Sequence, residues 1–430
     1  MRILVLGATG AIGACTLQAL LAEGHEVIGA SRRQPEQEVA AGTAPWISMD
    51  VTQLPTTAQW EAMLEGVELV VNCVGIIAEK RSGDFEILHC TMLQALSVAC
   101  TKRHCALIHL SALGSASTAP TAYWASKGRG EEWLAAQDIA YTILRPSLVF
   151  SPQGASSKLF LGLATLPLVL LPGANVPVQP VSVDDLAALV VALVRMRLDG
   201  ETWPRRIDVA GPRKMTLAQY ISLLRQAMGA PPAWLGHLPF ALAQPIARVS
   251  AWLRLPMLGP EPLTMLAASQ GGRLCPDNSM MCQILGRSPR DPAGFATPSL
   301  RPAAIAGWAY PALTVIIAWL WLYTAYVSWF AWPHEQSHAW LSACAMPPRL
   351  HEFVLATASL TDAALGTALL TGLLRARRWH GVLWPVQIGL VAGYTLLMTV
   401  FLPQFWAHPF GPLSKNLPLL LLFCVMWRLR

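Results

Sequence analysis

The apolar run Ile3 to Leu6 stops at a glycine cluster, and the residues after it repeat their apolar positions at helical spacing to about Leu21. A second apolar run follows from His25 to Ala30. Trp46–Met49, Leu69–Cys73, Ala106–Leu110 and Tyr141–Leu144 read as further strands, with helical patterns between them. Strand and helix in alternation predict a parallel sheet covered by helices on both faces. The first apolar run is broken too early by Gly7, and lacks the charged lead and cleavage site, to read as a signal peptide.

The alternation continues from about Gly154 to Gly211 with PVQPVSVDDLAALVVALV, where Asp184 and Asp185 are expected to cap a helix N-terminus. MTLAQYISLLRQAMG then reads as an amphipathic helix. The apolar run Leu159–Leu171, interrupted by Pro167, is too short to span a membrane and is expected to line a substrate entrance. Residues 231–300 are Pro-rich and irregular. Within them, Pro239–Leu255 carries Arg248 and Arg254 on an apolar background, and reads either as a helix lying on a membrane surface or as a cap on a substrate lobe. The expected domains are 1–230, with substrate-lobe elements from about 150, a connector at 231–300, and a membrane domain at 301–430.

Beyond Arg301 apolar stretches run roughly over 304–330, 351–374, 381–402 and 413–427. The first three are long enough to cross about 30 Å of hydrocarbon. The fourth is short and opens with Lys415 and Asn416. Arg375, Arg377 and Arg378 lie between the second and third stretches, and Arg428 and Arg430 follow the fourth, whereas the other loops carry only Arg349 and Lys415. The positive-inside rule then places the N-terminal domain, the Arg-rich loop and the C-terminus on the cytoplasmic side. The expectation is a multi-pass protein of a bacterial inner membrane, with a four-helix transmembrane bundle after the α/β domain.

Composition supports this division. The 430 residues are 54% hydrophobic and 13% charged, and mean hydropathy is +0.43. Ordinary globular chains carry about 25% charged residues, so disorder is excluded and an entirely soluble chain is disfavoured. The 17 Trp against 7 Tyr suggest aromatic side chains at membrane interfaces. The net charge of +6 is scattered, with no Lys/Arg run, and reads as a topology signal with no nucleic-acid partner. The 9 Cys include no CxxC pair and are expected as buried thiols in a reducing compartment, with no metal site.

Gly7-Ala8-Thr9-Gly10-Ala11-Ile12-Gly13 follows the first strand and opens a helix. In that context Gly7 allows the turn, Gly10 lets backbone approach a pyrophosphate, and Gly13 lets helix pack on strand. The helix N-terminus adds free N–H groups and dipole. At the end of the second strand, where an NAD site places an acid, the chain has Arg32 and Arg33. Two guanidinium groups suit a 2′-phosphate, so NADP(H) is expected over NAD(H). Asp50 and Val51 follow the third strand, toward the adenine. Asn72-Cys73-Val74-Gly75 ends the fourth, at the carboxyl edge where such sheets bind ligands.

Ser111 ends a strand, and Tyr123 and Lys127 follow at helical spacing i, i+4, on one face. A nearby ammonium favours tyrosinate. Tyr123 is therefore expected to exchange a proton with a substrate oxygen while hydride moves, with Ser111 hydrogen-bonding that oxygen.

The Gly-rich turn, NCVG, HLSALGS, YWASK, LRPSLVF, PVSVDDLA and VAGPRKMTLAQY together resemble the atypical or extended short-chain dehydrogenase/reductase superfamily. The likeness covers about 1–290, has the character of NAD-dependent epimerase/dehydratase-like domains, and runs nearest the NADPH-binding accessory subunit of respiratory complex I. YTLLMTVFLPQFWAHPFGPLSKNLPLL resembles the DoxX-like membrane family over about 304–428. The first resemblance implies a Rossmann-type doubly wound sheet, with Gly7, Gly10 and Gly13 on the pyrophosphate together with Thr9, Ala11 and Ile12 of the same turn. It puts Arg32 and Arg33 on the adenosine phosphate, Asp50 on the adenine, and Lys127 and Pro146 near the nicotinamide, with Arg145 and Ser147 beside it. It implies Ser111, Tyr123 and Lys127 as a catalytic set. The expected activity is oxidoreduction of a lipophilic carbonyl, alcohol or quinone-like substrate taken from membrane lipid. The alternative it also implies is a non-catalytic NADPH-binding subunit or redox sensor with a membrane-complex partner. The missing acid after the second strand departs from the NAD-using pattern.

Two further patterns carry less weight. His334-Glu335-Gln336-Ser337-His338 matches HExxH, but follows Pro333 in a short connection and reads as a polar loop. Asp362 and Lys415 are charges at membrane depth, and read either as a pair in contact inside the bundle or, for Lys415, as a side chain snorkelling to the interface.

Overall fold

A computed structural model describes residues 1–32, 44–79, 81–252, 259–375, 380–409 and 411–429. The chain divides into two compact units, Met1–Ala304 and Ile305–Arg430.

The first unit is built on a seven-stranded sheet. Its strands are β1 (Arg2–Leu6), β2 (Glu26–Ser31), β3 (Trp46–Ser48), β4 (Leu69–Asn72), β5 (Ala106–Leu110), β6 (Tyr141–Pro146) and β11 (Arg206–Val209). They lie in the order β11-β6-β5-β4-β1-β2-β3, and every pairing is parallel. The seventh strand, RIDV, was not anticipated, because an exposed Arg206 and a half-buried Asp208 interrupt its apolar pattern at the sheet edge. Side chains alternate across the sheet as period 2 requires. Ile3 and Val5 enter one layer with Leu17 and Leu20 of α1 (Ala11–Ala22) and Leu186 and Val190 of α7 (Val183–Leu198). Leu4 and Leu6 enter the other with Trp60 of α2 (Thr57–Met63) and Met92 and Leu96 of α4 (Met92–Arg103). A short α3 (Asp84–Glu86) and a π-helical turn (Ile87–Thr91) lead into α4. Helix α5 (Ala122–Ala135) follows β5. The strand order reverses between β1 and β4, and sheets of this kind hold ligands beyond the carboxyl ends of their strands at such a reversal.

Asp184 and Asp185 do not cap α7. Ser182 caps it by accepting from the Asp184 N–H at 3.1 Å, and the two aspartates occupy the first turn. Asp185, fully buried, pairs with Arg287 at 2.7 Å. The Ser182 hydroxyl reaches the backbone where a carboxyl one position inside the helix cannot.

A second lobe carries short strands β7 (Val149–Phe150), β8 (Leu168–Pro172), β9 (Pro177–Val178), β10 (Val181–Ser182), β12 (Met215–Thr216) and β13 (Trp234–Leu238). Its helices are α6 (Ala155–Thr165), α8 (Leu217–Ala227), α9 (Phe240–Trp252) and α10 (Pro260–Ala268), whereas α11 (Ser279–Leu285) returns to the sheet and buries Met281 in the core beside α7. Pro167 splits the run Leu159–Leu171 into α6 and β8, since the residue before a proline is driven to extended backbone. Strand β8 is apolar on both faces. Val169 and Leu171 enter the lobe's core, whereas Leu168 and Leu170 are 56% and 49% exposed. Trp234 of the paired strand is 62% exposed, and its ring lies over Gly236, where a Cβ would strike it.

In the second unit, α12 (Arg301–Tyr326), α14 (His351–Arg375) and α15 (His380–Phe401) are long and apolar. The stretches 298–331, 348–372 and 381–401 are long and apolar enough to cross a membrane. Helix α13 (His334–Ala343) connects the first two, and α16 (Asn416–Arg428) has only 13 residues. Gly366 lets α14 approach α12 closely, since a Cβ there would lie 2.7 Å from Leu322 Cγ and 2.8 Å from the Ala318 carbonyl oxygen. Trp321 Nε1 donates to Gln387 Oε1 at 2.7 Å, so the fully buried amide is satisfied.

Candidate functional site

The glycine turn is shaped by backbone demands. Gly7 adopts φ +74°, and its N–H and that of Ala8 donate to the Ala30 carbonyl at 2.9 and 3.1 Å. A Cβ on Gly7 would press on Cys73 backbone at 3.1 Å, and one on Gly13 would collide with the Gly7 carbonyl. Gly10 precedes α1 at the cap position, and the first helical bond runs from the Ala14 N–H to the Gly10 carbonyl at 2.9 Å. The N–H groups of Ala11, Ile12 and Gly13 are therefore left at the helix start, no acid occupies that turn, and Thr9 and Gly10 are exposed. Bare backbone and clustered donors suit a dinucleotide diphosphate.

Arg32 is exposed at the end of β2, and no described acid pairs with its guanidinium. Arg33 lies outside the described residues. Asp50 follows β3, and its Oδ1 accepts from the Thr52 N–H at 3.1 Å and hydroxyl at 2.8 Å, capping a short 3-10 turn. Val51 is buried in the core beneath that turn. Beyond β4, the fully buried Asn72 spends its side chain on the fold. Its Nδ2 donates to His109 Nδ1 at 3.1 Å, and its Oδ1 accepts the Val74 N–H at 3.1 Å. Asn72 thus shapes the loop rather than presenting its amide to a ligand. Cys73 sits against Thr16, with burial pushing its thiol up to about 12, and Val74 packs on the core. Gly75 is exposed.

Thr121 caps α5 by accepting the Trp124 N–H at 3.3 Å, which fixes Tyr123 in the first turn and Lys127 one turn later. Lys127 is 4% exposed. Its ammonium donates to the Leu110 carbonyl at 3.1 Å and lies 5.7 Å from the Tyr123 ring centroid. Ser111, next after Leu110, is buried and donates to Ser115 Oγ at 3.3 Å. A Cβ on Gly75 would lie 3.5 Å from Lys127 Nζ and 3.9 Å from His89 Nε2. The loop after β4, the end of β5 and the start of α5 therefore converge. Pro146, buried, ends β6 on the same edge, with the Leu113 N–H donating to its carbonyl at 2.9 Å. Arg145 is held by Glu131, with Nε 2.9 Å from Oε2, and Ser147 Oγ donates to the Gln179 carbonyl at 2.5 Å.

Electrostatics at this cluster differ from the expectation. Burial lowers Lys127 to about 8, with Glu131 and Cys73 opposing it. Burial also raises the Tyr123 phenol above its ordinary value. The ammonium was expected to lower it, but sits toward the ring, and desolvation of the phenolate wins. Among the described residues nothing bonds the Tyr123 hydroxyl.

Sequence reasoning missed His89. Its ring stacks on Phe85 at 5.4 Å and meets Tyr123 edge-on at 5.7 Å. Nδ1 lies 2.8 Å from Ser126 Oγ, and Ser126 in turn donates to the Tyr123 carbonyl at 3.0 Å. Burial first, then the Lys127 charge, pushes His89 down to about 2. The imidazole is therefore neutral, and accepting the Ile76 N–H on Nε2 at 3.5 Å assigns the Nδ1 proton to the Ser126 bond. The only signal in the sequence was a polar ring in the apolar stretch after the fourth strand.

In the second unit the HExxH histidines do not meet Glu335. His334 Nδ1 and His338 Nε2 lie 3.1 and 3.0 Å from the two carboxyl oxygens of Glu352, and His351 Nε2 bonds the Met346 carbonyl at 3.0 Å. Among the described residues no group of three or more His, Cys, Asp and Glu is placed to hold a metal. The Asp362–Lys415 contact is not formed. Asp362 is buried without an ionic partner, while Lys415 is exposed at the start of α16, where a long stem reaches polar surroundings at lower cost than a buried pair. Asn416 instead donates to Thr395 Oγ1 at 2.8 Å.

Residues 7–197 match the NAD(P)H-binding family, and residues 318–424 match the DoxX-like family. The chain joins an NAD(P)-binding Rossmann domain to a DoxX-like membrane domain. The Rossmann domain is similar to the ceramide reductase of Caulobacter vibrioides, at 25% identity over 215 residues, 46% of this chain and 66% of that protein, just under two thirds of its length. It is also similar to the mitochondrial NADH dehydrogenase [ubiquinone] 1 alpha subcomplex subunit 9 of Arabidopsis thaliana, at 24% identity over 68% of this chain and 75% of that protein. Among solved structures, a nucleoside-diphosphate-sugar epimerase of Staphylococcus aureus aligns with TM-score 0.55 and 17% identity, over 70% of this chain and all of that one. An NADPH-dependent quinone oxidoreductase of Escherichia coli aligns with TM-score 0.53 and 18% identity, over 70% and 98%. At these identities the two structures establish the Rossmann fold alone.

Proposed function

We propose that the protein is a membrane-anchored, NADP(H)-dependent oxidoreductase acting on a lipophilic carbonyl, alcohol or quinone-like substrate. The observation that carries this is the convergence of Tyr123, Lys127 and Ser111 with the Gly75 loop, one chain crossing away from the glycine turn. The nicotinamide group supplies or accepts hydride when bound. Tyr123, its hydroxyl unbonded among the described residues, gives a proton to the substrate oxygen or takes one from it. Ser111 turns its hydroxyl from Ser115 to the same oxygen. Lys127 holds α5 against β5 through the Leu110 carbonyl and so fixes where Tyr123 stands. Ala11, Ile12 and Gly13 N–H groups would hold the diphosphate, and Arg32, with Arg33, supports a 2′-phosphate and so NADP(H). The names of the relatives, a ceramide reductase and a subunit of a ubiquinone-linked dehydrogenase, favour a substrate that partitions into lipid. The Arg-rich segment 375–378 and the C-terminal arginines support a cytoplasmic Rossmann domain.

One observation favours a second reading, a non-catalytic NADPH-binding subunit or sensor. A phenol held above its ordinary range is a poorer acid at neutral pH. Oxidation of NADPH by quinones and long-chain aldehydes, assayed for wild type and Tyr123→Phe in detergent, separates the two. Turnover lost in the variant supports the enzyme, and identical traces from both proteins support the binding subunit.

A further inference from the structure

Helix α14 carries a carboxyl inside 348–372, a stretch long and apolar enough to cross a membrane. Asp362 is 6% exposed, and its Oδ1 has no hydrogen-bond partner among the described residues. One turn earlier Ser359, 7% exposed, holds a second orphaned oxygen. Residues three apart share a helix face, so two unsatisfied polar groups meet the same side of α14. Tyr394 of α15 stands within electrostatic reach of Asp362.

The surrounding charges do not compensate the carboxyl. Helix α12 has no Asp, Glu, Lys or His between Ile305 and Tyr326, only the phenols of Tyr310, Tyr323 and Tyr326. Helix α16 contributes Cys424 and a terminal Arg428, and Lys415 before it is exposed. On α14 itself the nearest acid is Glu352, about 15 Å back along the helix, already shared by His334 and His338 of α13. An ionised carboxylate with a bare oxygen in hydrocarbon is strongly disfavoured, whereas a carboxylic acid is tolerated.

We propose that Asp362, with Ser359 and Tyr394 beside it, is a proton-binding site inside the membrane domain. Uptake forms one O–H bond on the carboxylate, release returns the proton and leaves the carboxylate, and no electron moves. Ser359 shares that face of the helix, and its Oγ is likewise without a hydrogen-bond partner among the described residues. This assignment is independent of what the Rossmann domain reduces.

The test uses the full chain in phosphatidylcholine vesicles and dicyclohexylcarbodiimide, a lipid-soluble reagent that adds to protonated carboxyl groups in apolar surroundings. Peptide masses then locate the adduct. The expected result is an adduct on Asp362, absent from the exposed Glu335. Its rate should fall about tenfold per pH unit once the pH passes the site's titration point. Asp362→Glu keeps the adduct and Asp362→Asn loses it. An unlabelled Asp362 in the wild-type chain overturns the proposal, as does a rate that does not change across the pH range in which the protein stays folded. Mapping on the wild type decides the matter even where a variant fails to insert.

Discussion

The Lys127 ammonium donates to the Leu110 carbonyl across 3.1 Å, so the helix bearing Tyr123 is pinned to the strand end that precedes Ser111. One buried cation thus sets the spacing of the whole candidate set, and its charge state governs both shape and chemistry.

That cation is held near 8, below its ordinary 10.5, chiefly by burial. Between those two values the unfolded chain binds more protons than the folded one, so stability rises with pH across the window and is lower beneath it. Lys127→Met should flatten this rise, read as the midpoint of urea unfolding against pH. If the ammonium serves turnover, kcat/KM of the wild type falls as pH climbs through about 8.

Tyr123→Phe removes only the hydroxyl. Turnover should fall by about 10²–10⁴-fold, the usual worth of a positioned proton donor. NADPH affinity, followed by quenching of the nucleotide's fluorescence, should stay within a factor of about two, since the variant leaves untouched the glycine turn proposed to hold the diphosphate.

Gly13→Ala drives a methyl group into the Gly7 carbonyl. Overpacking of this kind costs about 1–3 kcal/mol, and the displaced turn should lose NADPH affinity by about tenfold or more. Gly24→Ala offers a control, because no atom lies within 4 Å of a Cβ there, though its φ of +79° adds backbone strain. Only Gly13→Ala should combine lower stability with lost nucleotide binding.

Arg32→Ala should weaken NADPH binding by about 10–100-fold, the worth of a charge-assisted hydrogen bond, and leave NADH binding nearly unchanged. The ratio of the two dissociation constants is the readout. An unaltered ratio would remove the guanidinium from the 2′-phosphate site.

His89→Leu strips the bond to Ser126 and the edge contact to Tyr123. Stability should drop by about 0.5–1.5 kcal/mol, the net worth of the lost bond, because the Ser126 hydroxyl keeps its bond to the Tyr123 carbonyl. A residue that positions Tyr123 should lower kcat more than it raises KM, whereas a purely structural role would leave both near wild type in the folded fraction.

Much of the Rossmann sheet could be read from the chain. Ala106–Leu110 emerged with the bounds expected, and β1 and β4 within a residue, because buried parallel strands are continuous apolar runs bordered by turn residues. The edge strand RIDV escaped because solvent on one side lets Arg206 and Asp208 interrupt the pattern. In the candidate site, spacing alone located Tyr123 and Lys127, since i, i+4 fixes a shared face. Spacing could not reveal that the Lys127 ammonium reaches the Leu110 carbonyl, nor that His89 enters the cluster from a different helix, because both depend on long-range packing. Asp362 and Lys415 illustrate the same limit, for two charges at similar depth need not face each other around a helix bundle.

The ribbon of β8 and β13 has oil on its outer side as well as its inner one, with Leu168, Leu170 and Trp234 turned away from the lobe. A shortened protein ending near Ala304, freed of every membrane-crossing helix, would still carry that greasy strip into buffer. Its clumping without amphiphile would report wetting of those three side chains, and a well-folded nucleotide domain would need a mild surfactant to stay dispersed.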